Sequence, residues 1–183
     1  MLKGKRILLR AIMRSDLKKI LEWFNDAEVI QYLSMYLPMT EKGEEKWLED
    51  ISTTRKNSDV VFMMEVVEGK KVTPIGTCGL HRINWKDRDA EFGIAIGEKK
   101  FWNNGYGTEA AKLLVDYGFS QLNLHRISSG AYGFNERSIK MHLKLVFKKE
   151  GVVREGIYKN GKYQDKVLFG LLRKEWEERK KKK

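Results

Sequence analysis

Residues 60–122 narrow the fold more than any other part of the chain. Three β-prone runs, 60–67, 75–84 and 90–96, follow one another, with Glu68-Gly69-Lys70 and Lys86-Asp87-Arg88 marking the breaks. Runs of this kind, rich in Val, Ile and Phe and bounded by glycine or charged residues, predict strands joined as two hairpins, an antiparallel meander. A polar, aromatic-bearing loop at 97–104 then leads into 108–122, where Ala110, Ala111, Leu114, Val115 and Gly118 recur at helical spacing. A meander that passes through a glycine loop into a long buried helix requires sheet and helix to share one core.

The flanks supply the rest of the sheet. Residues 7–10 form a short β-prone run, and Leu17, Ile20, Leu21 and Phe24 follow at i, i+3, i+4, i+7, the apolar stripe of an amphipathic helix with Ser15 as its expected cap. A shorter helical piece at 27–32 runs into a turn at Pro38. Thr40 and the acids Glu41, Glu44 and Glu45 suit the start of a further helix; Trp47, Leu48 and Ile51 give it a buried side, and it is expected to end near Arg55. In the second half, 126–132 reads as a strand, Asn135 as the cap of a helix over 136–146, and 147–158 and 162–172 as strands joined by an Asn160-Gly161 type I′ turn. The order predicts an α+β fold: one domain over 1–178, followed by a basic tail, 179–183.

A length of 183 residues suits one domain, and a 42% hydrophobic composition can supply its core, which excludes disorder. The single cysteine, Cys78, allows no internal disulfide, residues 1–30 show no signal-type run, and no apolar stretch reaches the roughly 18 residues of a membrane span. A cytoplasmic protein is expected. The formal net charge is +11, and the run Arg179-Lys180-Lys181-Lys182-Lys183 carries nearly half of it. That run reads as a solvated terminus, able to touch nucleic acid or a ribosome by counterion release, while the remaining basic residues are interleaved with acids and draw no basic stripe.

The loop Phe101-Trp102-Asn103-Asn104-Gly105-Tyr106-Gly107-Thr108 opens the long helix with two glycines one residue apart. A helix start presents unpaired N–H groups and the positive end of the dipole, which suits an anion such as a pyrophosphate, and glycine lets it come close. Gly-x-Gly alone is common in tight turns. The Lys-Ser/Thr of a Walker loop and a full G-x-G-x-x-G are both missing, which argues against a nucleotide triphosphatase or a dinucleotide fold.

Taken together, Ala90-Glu91-Phe92-Gly93-Ile94-Ala95-Ile96, this loop, Asn135-x-x-Ser138, Lys144-Leu145-x-Phe147 and Glu150-Gly151 resemble the GNAT superfamily of acetyl-CoA-dependent N-acetyltransferases, within it the Rim-type ribosomal-protein enzymes and their spermidine-acetylating relatives. The likeness covers nearly the whole chain. It implies a mixed, mainly antiparallel seven-stranded sheet flanked by about four helices, with a bulge that splays strand 4 from strand 5. It places the pantetheine arm against Ile94, Ala95 and Ile96, and the pyrophosphate on the loop backbone at Trp102, Asn103, Asn104, Gly105, Tyr106, Gly107 and Thr108. Asn135, Ser138 and Lys144 become further cofactor contacts. Trp102 stands where the family commonly has Gln or Arg, and Val146 replaces a usual Gly.

Acetyl transfer needs a neutral amine, so a base must take the ammonium proton. The resemblance points to Glu91, with Glu155 as the alternative, and to His142 or Ser138 as donor to the leaving thiolate. No activated nucleophile is evident, Cys78 having no histidine at a telling spacing beyond His81, so acetyl-CoA and amine are expected to meet in one ternary complex. A protein or peptide N-terminal α-amine ranks first, because a +11 chain attracts polyamines weakly. A polyamine of the spermidine type ranks second and a small amine third. A non-catalytic CoA- or ribosome-binding module is the reading from another class. No metal is called for, and a monomer or homodimer is expected.

Overall fold

The structure, a computed structural model, describes residues 1–53 and 58–181. The expected helix end near Arg55 therefore lies outside the described residues, as do Lys182 and Lys183. In chain order the elements are β1 (Leu2–Lys3), β2 (Ile7–Ala11), α1 (Leu17–Phe24), α2 (Ala27–Ile30), α3 (Glu41–Thr53), β3 (Val60–Glu68), β4 (Lys71–Asn84), β5 (Asp89–Ile96), α4 (Tyr106–Ser120), β6 (Arg126–Tyr132), α5 (Glu136–Lys144), β7 (Lys148–Lys159), β8 (Lys162–Leu172) and α6 (Arg173–Lys181). The strands form one eight-stranded sheet in the order β1-β2-β3-β4-β5-β6-β8-β7. Every neighbouring pair is antiparallel except β5 with β6.

Side-chain alternation sets the two faces. Phe62, Met64, Cys78, Leu80, Ala90 and Phe92 point to one side, where α4 buries Ala110, Ala111, Leu114 and Val115 against them. Met63 and Ala95 point to the other, into a smaller cluster with Ile20, Trp23 and Phe24 of α1. The meander appears as expected, with β3–β4 and β4–β5 both hairpins. Pro74, which has no N–H to give the ladder, pairs with Glu65 beside the register shift at Met64/Glu65.

Differences from the sequence reading have local causes. The eighth strand, β1, is two residues long, too short for any periodicity to announce. Ser15 does not cap α1: Arg14–Asp16 is a turn of 3-10 helix, and the Asp16 carboxylate accepts from the Met13 N–H (2.8 Å) and pairs with Arg10. Asn135 does cap α5, accepting from the Ser138 N–H at 3.1 Å. That helix stops at Lys144, two residues early, and Val146 takes φ +61°, the left-handed conformation the family's glycine would favour. Asn160 and Gly161 both have positive φ (53° and 79°), as a type I′ turn requires. Arg179–Lys181, expected in a solvated tail, continue α6. Its charged sequence hides one buried residue, Trp176, whose indole donates to Asp116 (2.7 Å), while Arg179 stacks on the Trp176 ring and Lys180 pairs with Asp116. Among the described residues no helix is long and apolar enough to cross a membrane.

Candidate active site

β5 and β6 stay together for three pairs, Asp89 with Arg126, Ala90 with Ile127 and Glu91 with Ser128. Beyond Glu91, β5 remains with β4 and β6 with β8, so the sheet splits. The register irregularity beside this split lies on β4, between His81 and Asn84, rather than in β5 itself. A cavity of about 560 Å³ occupies the split. Along an antiparallel strand, alternate residues direct their N–H and C=O to opposite edges. The Ser129 hydroxyl oxygen lies 3.1 Å from the Phe92 carbonyl and the Trp102 indole donates to that of Ile96 (2.7 Å), so the even residues of β5 face the gap. Ile94, between them, thus offers its backbone to whatever fills the cavity. Ala95 lines the cavity with its side chain, its backbone being turned to β4.

At one end of the cavity lies the start of α4. Gly105 holds φ +80° as its N-cap, a conformation that costs other residues, and makes no side-chain cap bond. The first intrahelical bond runs from the Glu109 N–H to the Gly105 carbonyl, 3.1 Å. The N–H groups of Tyr106, Gly107 and Thr108 are therefore left without helical acceptors. Trp102, Asn103, Gly105, Gly107 and Thr108 line the cavity; Asn104 and Tyr106 do not. Asn104 braces the loop, donating to the Trp102 carbonyl (2.9 Å) and accepting from Arg6 (3.2 Å), and the Tyr106 ring lies beneath the Arg6 guanidinium, 4.5 Å away. Arg6 also bonds Glu109, whose carboxylate accepts the Arg6 and Ile7 N–H groups as well. Burial raises the Glu109 carboxyl, but these bonds outweigh it and hold the group below its ordinary value. No sequence signal tied residue 6 to the loop.

Helix α5 gives the opposite wall. Asn135, Ser138 and Lys144 line the cavity, and so do Arg137 and Lys140. The spacing Arg137, Lys140, Lys144 is i, i+3, i+7, one basic face of a helix, and was available in the sequence. The Arg137 guanidinium sits 4.8 Å from the rings of both Tyr32 and Trp102, joining the segment after α2 to the loop.

The candidate proton-transfer groups are not equivalent. Glu91 lines the cavity, about a third exposed, and pairs with Arg82. Glu155 does not line it; this residue is exposed on β7, its N–H bonded to Asp165. Ser138 lines the cavity with its hydroxyl 3.5 Å from His142 Nδ1. His142 is 1% exposed and stacked on Phe169, with ring centroids 4.6 Å apart. Its Nδ1 lies 2.7 Å from the Ser138 carbonyl, which can only accept, so Nδ1 carries the hydrogen and Nε2 accepts from the Ser129 hydroxyl at 2.8 Å. Burial lowers the pKa of the ring despite the Ser138 bond. Both nitrogens are occupied, so the geometry suits holding α5 against β6 better than donating a proton. Cys78 is fully buried, and burial pushes its thiol well up, away from nucleophilic use.

A family model for the acetyltransferase (GNAT) domain matches residues 6–148. The chain belongs to the GNAT acetyltransferase family. This GNAT chain is 32% identical to the uncharacterized N-acetyltransferase p20 of Bacillus licheniformis, over 94% of its own length and 96% of that protein's. It is 30% identical to the spermidine N(1)-acetyltransferase of Escherichia coli K12, covering 93% and 88%. Among solved structures, the Vibrio cholerae spermidine N-acetyltransferase in complex with CoA and spermine superimposes with a TM-score of 0.86, at 26% identity, over 94% of this chain and 99% of that one. The chain is an acetyl-CoA-dependent N-acetyltransferase, and the reading as a non-catalytic module falls away. The residues present fit acetyl-CoA: an open backbone edge at Ile94, free N–H groups at the start of α4, and the basic face of α5.

Proposed function

We propose that the acceptor is the α-amine of a protein or peptide N-terminus. The observation that carries this is the charge lining the cavity: among the described residues one carboxylate, Glu91, stands with Arg137, Lys140, Lys144 and Lys166. Five acids outside the cavity lining already have cations, Asp26 and Glu28 sharing Lys99, Glu22 and Glu98 sharing Lys19, and Asp16 pairing with Arg10. A polyamine brings several ammonium groups that need several carboxylates, whereas a chain terminus brings one. The second reading, a spermidine-type acceptor, is favoured by the names of the Escherichia coli and Vibrio cholerae relatives.

In this reading the N–H groups of Gly107 and Thr108, with Lys140 and Lys144, would hold the phosphates, and the backbone of Ile94 the pantetheine arm. Acetyl-CoA, when bound, supplies the acetyl group as a thioester. Glu91 receives the ammonium and draws off its proton, the Ser138 hydroxyl is the donor within reach of the departing sulfur, and His142 positions Ser138 from below. Amine and acyl donor meet directly, with no covalent enzyme intermediate. Residues 1–178 form the catalytic domain, 179–183 a basic C-terminal run, and the setting is cytoplasmic, where acetyl-CoA is available and Cys78 stays reduced. Initial rates with acetyl-CoA over a panel of free-amine peptides, Nα-blocked peptides, spermidine and spermine test the acceptor. We expect kcat/KM for free-amine peptides to exceed that for spermidine by tenfold or more, a ratio of about 1.4 kcal/mol. The reverse order would establish the polyamine reading.

A further inference from the structure

His81 stands directly opposite Glu91 in the β4–β5 register, so both side chains leave the same face of the sheet, the face that also carries Ala95 toward α1. Two residues along, Gly79 faces Gly93. Neither has a side chain, and the imidazole lies across the bare backbone: a Cβ on Gly79 would stand 2.9 Å from His81 Nε2, and one on Gly93 3.2 Å from it. Gly93 and Glu91 both line the cavity. The Nε2 edge of His81 is thereby laid next to the wall of the site.

The other ring nitrogen is fixed. Nδ1 lies 3.0 Å from Asp59 Oδ2, while Asp59 Oδ1 accepts the Arg82 N–H (2.9 Å) and the Ser58 hydroxyl (3.2 Å). Burial raises the Asp59 carboxyl, but the bond from His81 and that from Arg82 more than offset it, so the group is held below its ordinary value and stays ionised. An ionised carboxylate only accepts, so Nδ1 bears the hydrogen and the neutral ring keeps its lone pair on Nε2. Among the described residues Nε2 has no hydrogen-bond partner, and the charged groups facing the ring are Asp59, Glu91 and Arg82. Glu91, by contrast, is already paired with the Arg82 guanidinium.

We propose that the Asp59–His81 pair is the final acceptor of the amine's proton. The inference rests on the reading above, that an amine is acetylated at the Glu91 end of the cavity, and names the group that completes it. Glu91 binds the ammonium; an N–H bond breaks, its electron pair stays on nitrogen, and the proton passes by way of Glu91 or one water to Nε2. The nitrogen pair then forms the C–N bond as the thioester C–S bond breaks with its electron pair on sulfur, and the second proton shed by the nitrogen passes, through the Ser138 hydroxyl, to that thiolate. The imidazolium, steadied by Asp59, returns the proton to solvent.

The test is the pH dependence of kcat/KM for the acceptor at saturating acetyl-CoA, for wild type, His81→Gln, Asp59→Asn and Glu91→Gln, with CoA affinity by calorimetry and thermal melting beside it. Wild-type kcat/KM should rise with pH, because only the neutral ring can take the proton. His81→Gln should lower kcat/KM at neutral pH roughly 100-fold, a usual acid–base contribution, and remove that rise. Asp59→Asn should move it to lower pH, because the carboxylate no longer favours the charged ring. Glu91→Gln should lose roughly 100-fold while keeping the rise, and CoA affinity should hold throughout. A His81→Gln enzyme with the wild-type profile overturns the proposal, as does a rise that only Glu91→Gln removes. If CoA binds and no amine reacts, the acceptor reading has failed, and nitrogen NMR of the imidazole still decides the pair: hydrogen on Nδ1 with Nε2 free supports it, and the reverse tautomer overturns it.

Discussion

Gly107→Val places a branched side chain where the cofactor backbone contact is expected. A Cβ at this position would stand 3.4 Å from Ile96 Cδ1 and 3.9 Å from Ile94 Cδ1, ordinary contacts, so Gly107→Ala leaves the fold intact. It should even stabilise the helix, by about 0.5–1 kcal/mol, since glycine gives up the most chain freedom on folding. The two γ carbons of valine reach further into the cavity, between the helix start and β5, and hold a phosphate off the Gly107 N–H. A hydrogen bond to a charged group is worth about 1.5–3 kcal/mol, which at about 1.4 kcal/mol per decade is roughly a 10- to 150-fold loss of CoA affinity. Calorimetric titration with CoA reads the affinity, and urea unfolding reads the stability of both variants. A valine variant that binds CoA as wild type does would refute a phosphate site at this helix start.

Two further outcomes follow from backbone and burial. Gly105→Ala should destabilise by about 1–2 kcal/mol, because φ +80° penalises a Cβ while the new methyl itself finds space, with Arg6 Nη2 nearest at 3.6 Å; a change in urea unfolding of only a few tenths would show that the loop relaxes. His142 has its pKa lowered by burial, so below about pH 6.5 the unfolded chain takes up a proton that the folded chain refuses. Its contribution is complete above that pH and declines as pH falls toward the folded value, by at most about 1.4 kcal/mol per unit. His142→Phe should flatten this part of the stability profile between pH 7 and 5, and equal slopes for the two proteins would contradict the buried, neutral ring.

What the sequence discloses is local. The meander is legible because its breaks are marked by Gly69 and by the Lys86-Asp87-Arg88 run, and the cap at Asn135 because a short polar residue precedes an amphipathic stretch. The resemblance points to Ile94, Gly105, Gly107 and Ser138, which line the cavity, because they are spaced along contiguous strand and helix starts. Pairing at a distance leaves no such mark. That β5 leaves β6 after Glu91 depends on where three parallel pairs end, and that His142 is buried depends on Phe92 of β5 and Phe169 of β8 arriving beside it together with Phe147. His81 enters the sequence reading only as a neighbour of Cys78, since nothing in the order of residues shows that Asp59 will lie beside it. Helix α6 is hidden for the opposite reason: one buried tryptophan among charged residues gives no periodicity to detect.

The tie between Arg6 and Glu109 spans 103 positions. Closing a loop of that length costs on the order of 4 kcal/mol of chain entropy, so it forms only after nearer contacts have shortened the path. The β3–β5 hairpins and the docking of α4 close locally, and β2 must then find β3 before residue 6 can reach the helix. An order of assembly follows in which the phosphate loop acquires its final shape late, after the sheet around it. A folding intermediate would therefore hold a well-formed meander and helix while being unable to retain CoA.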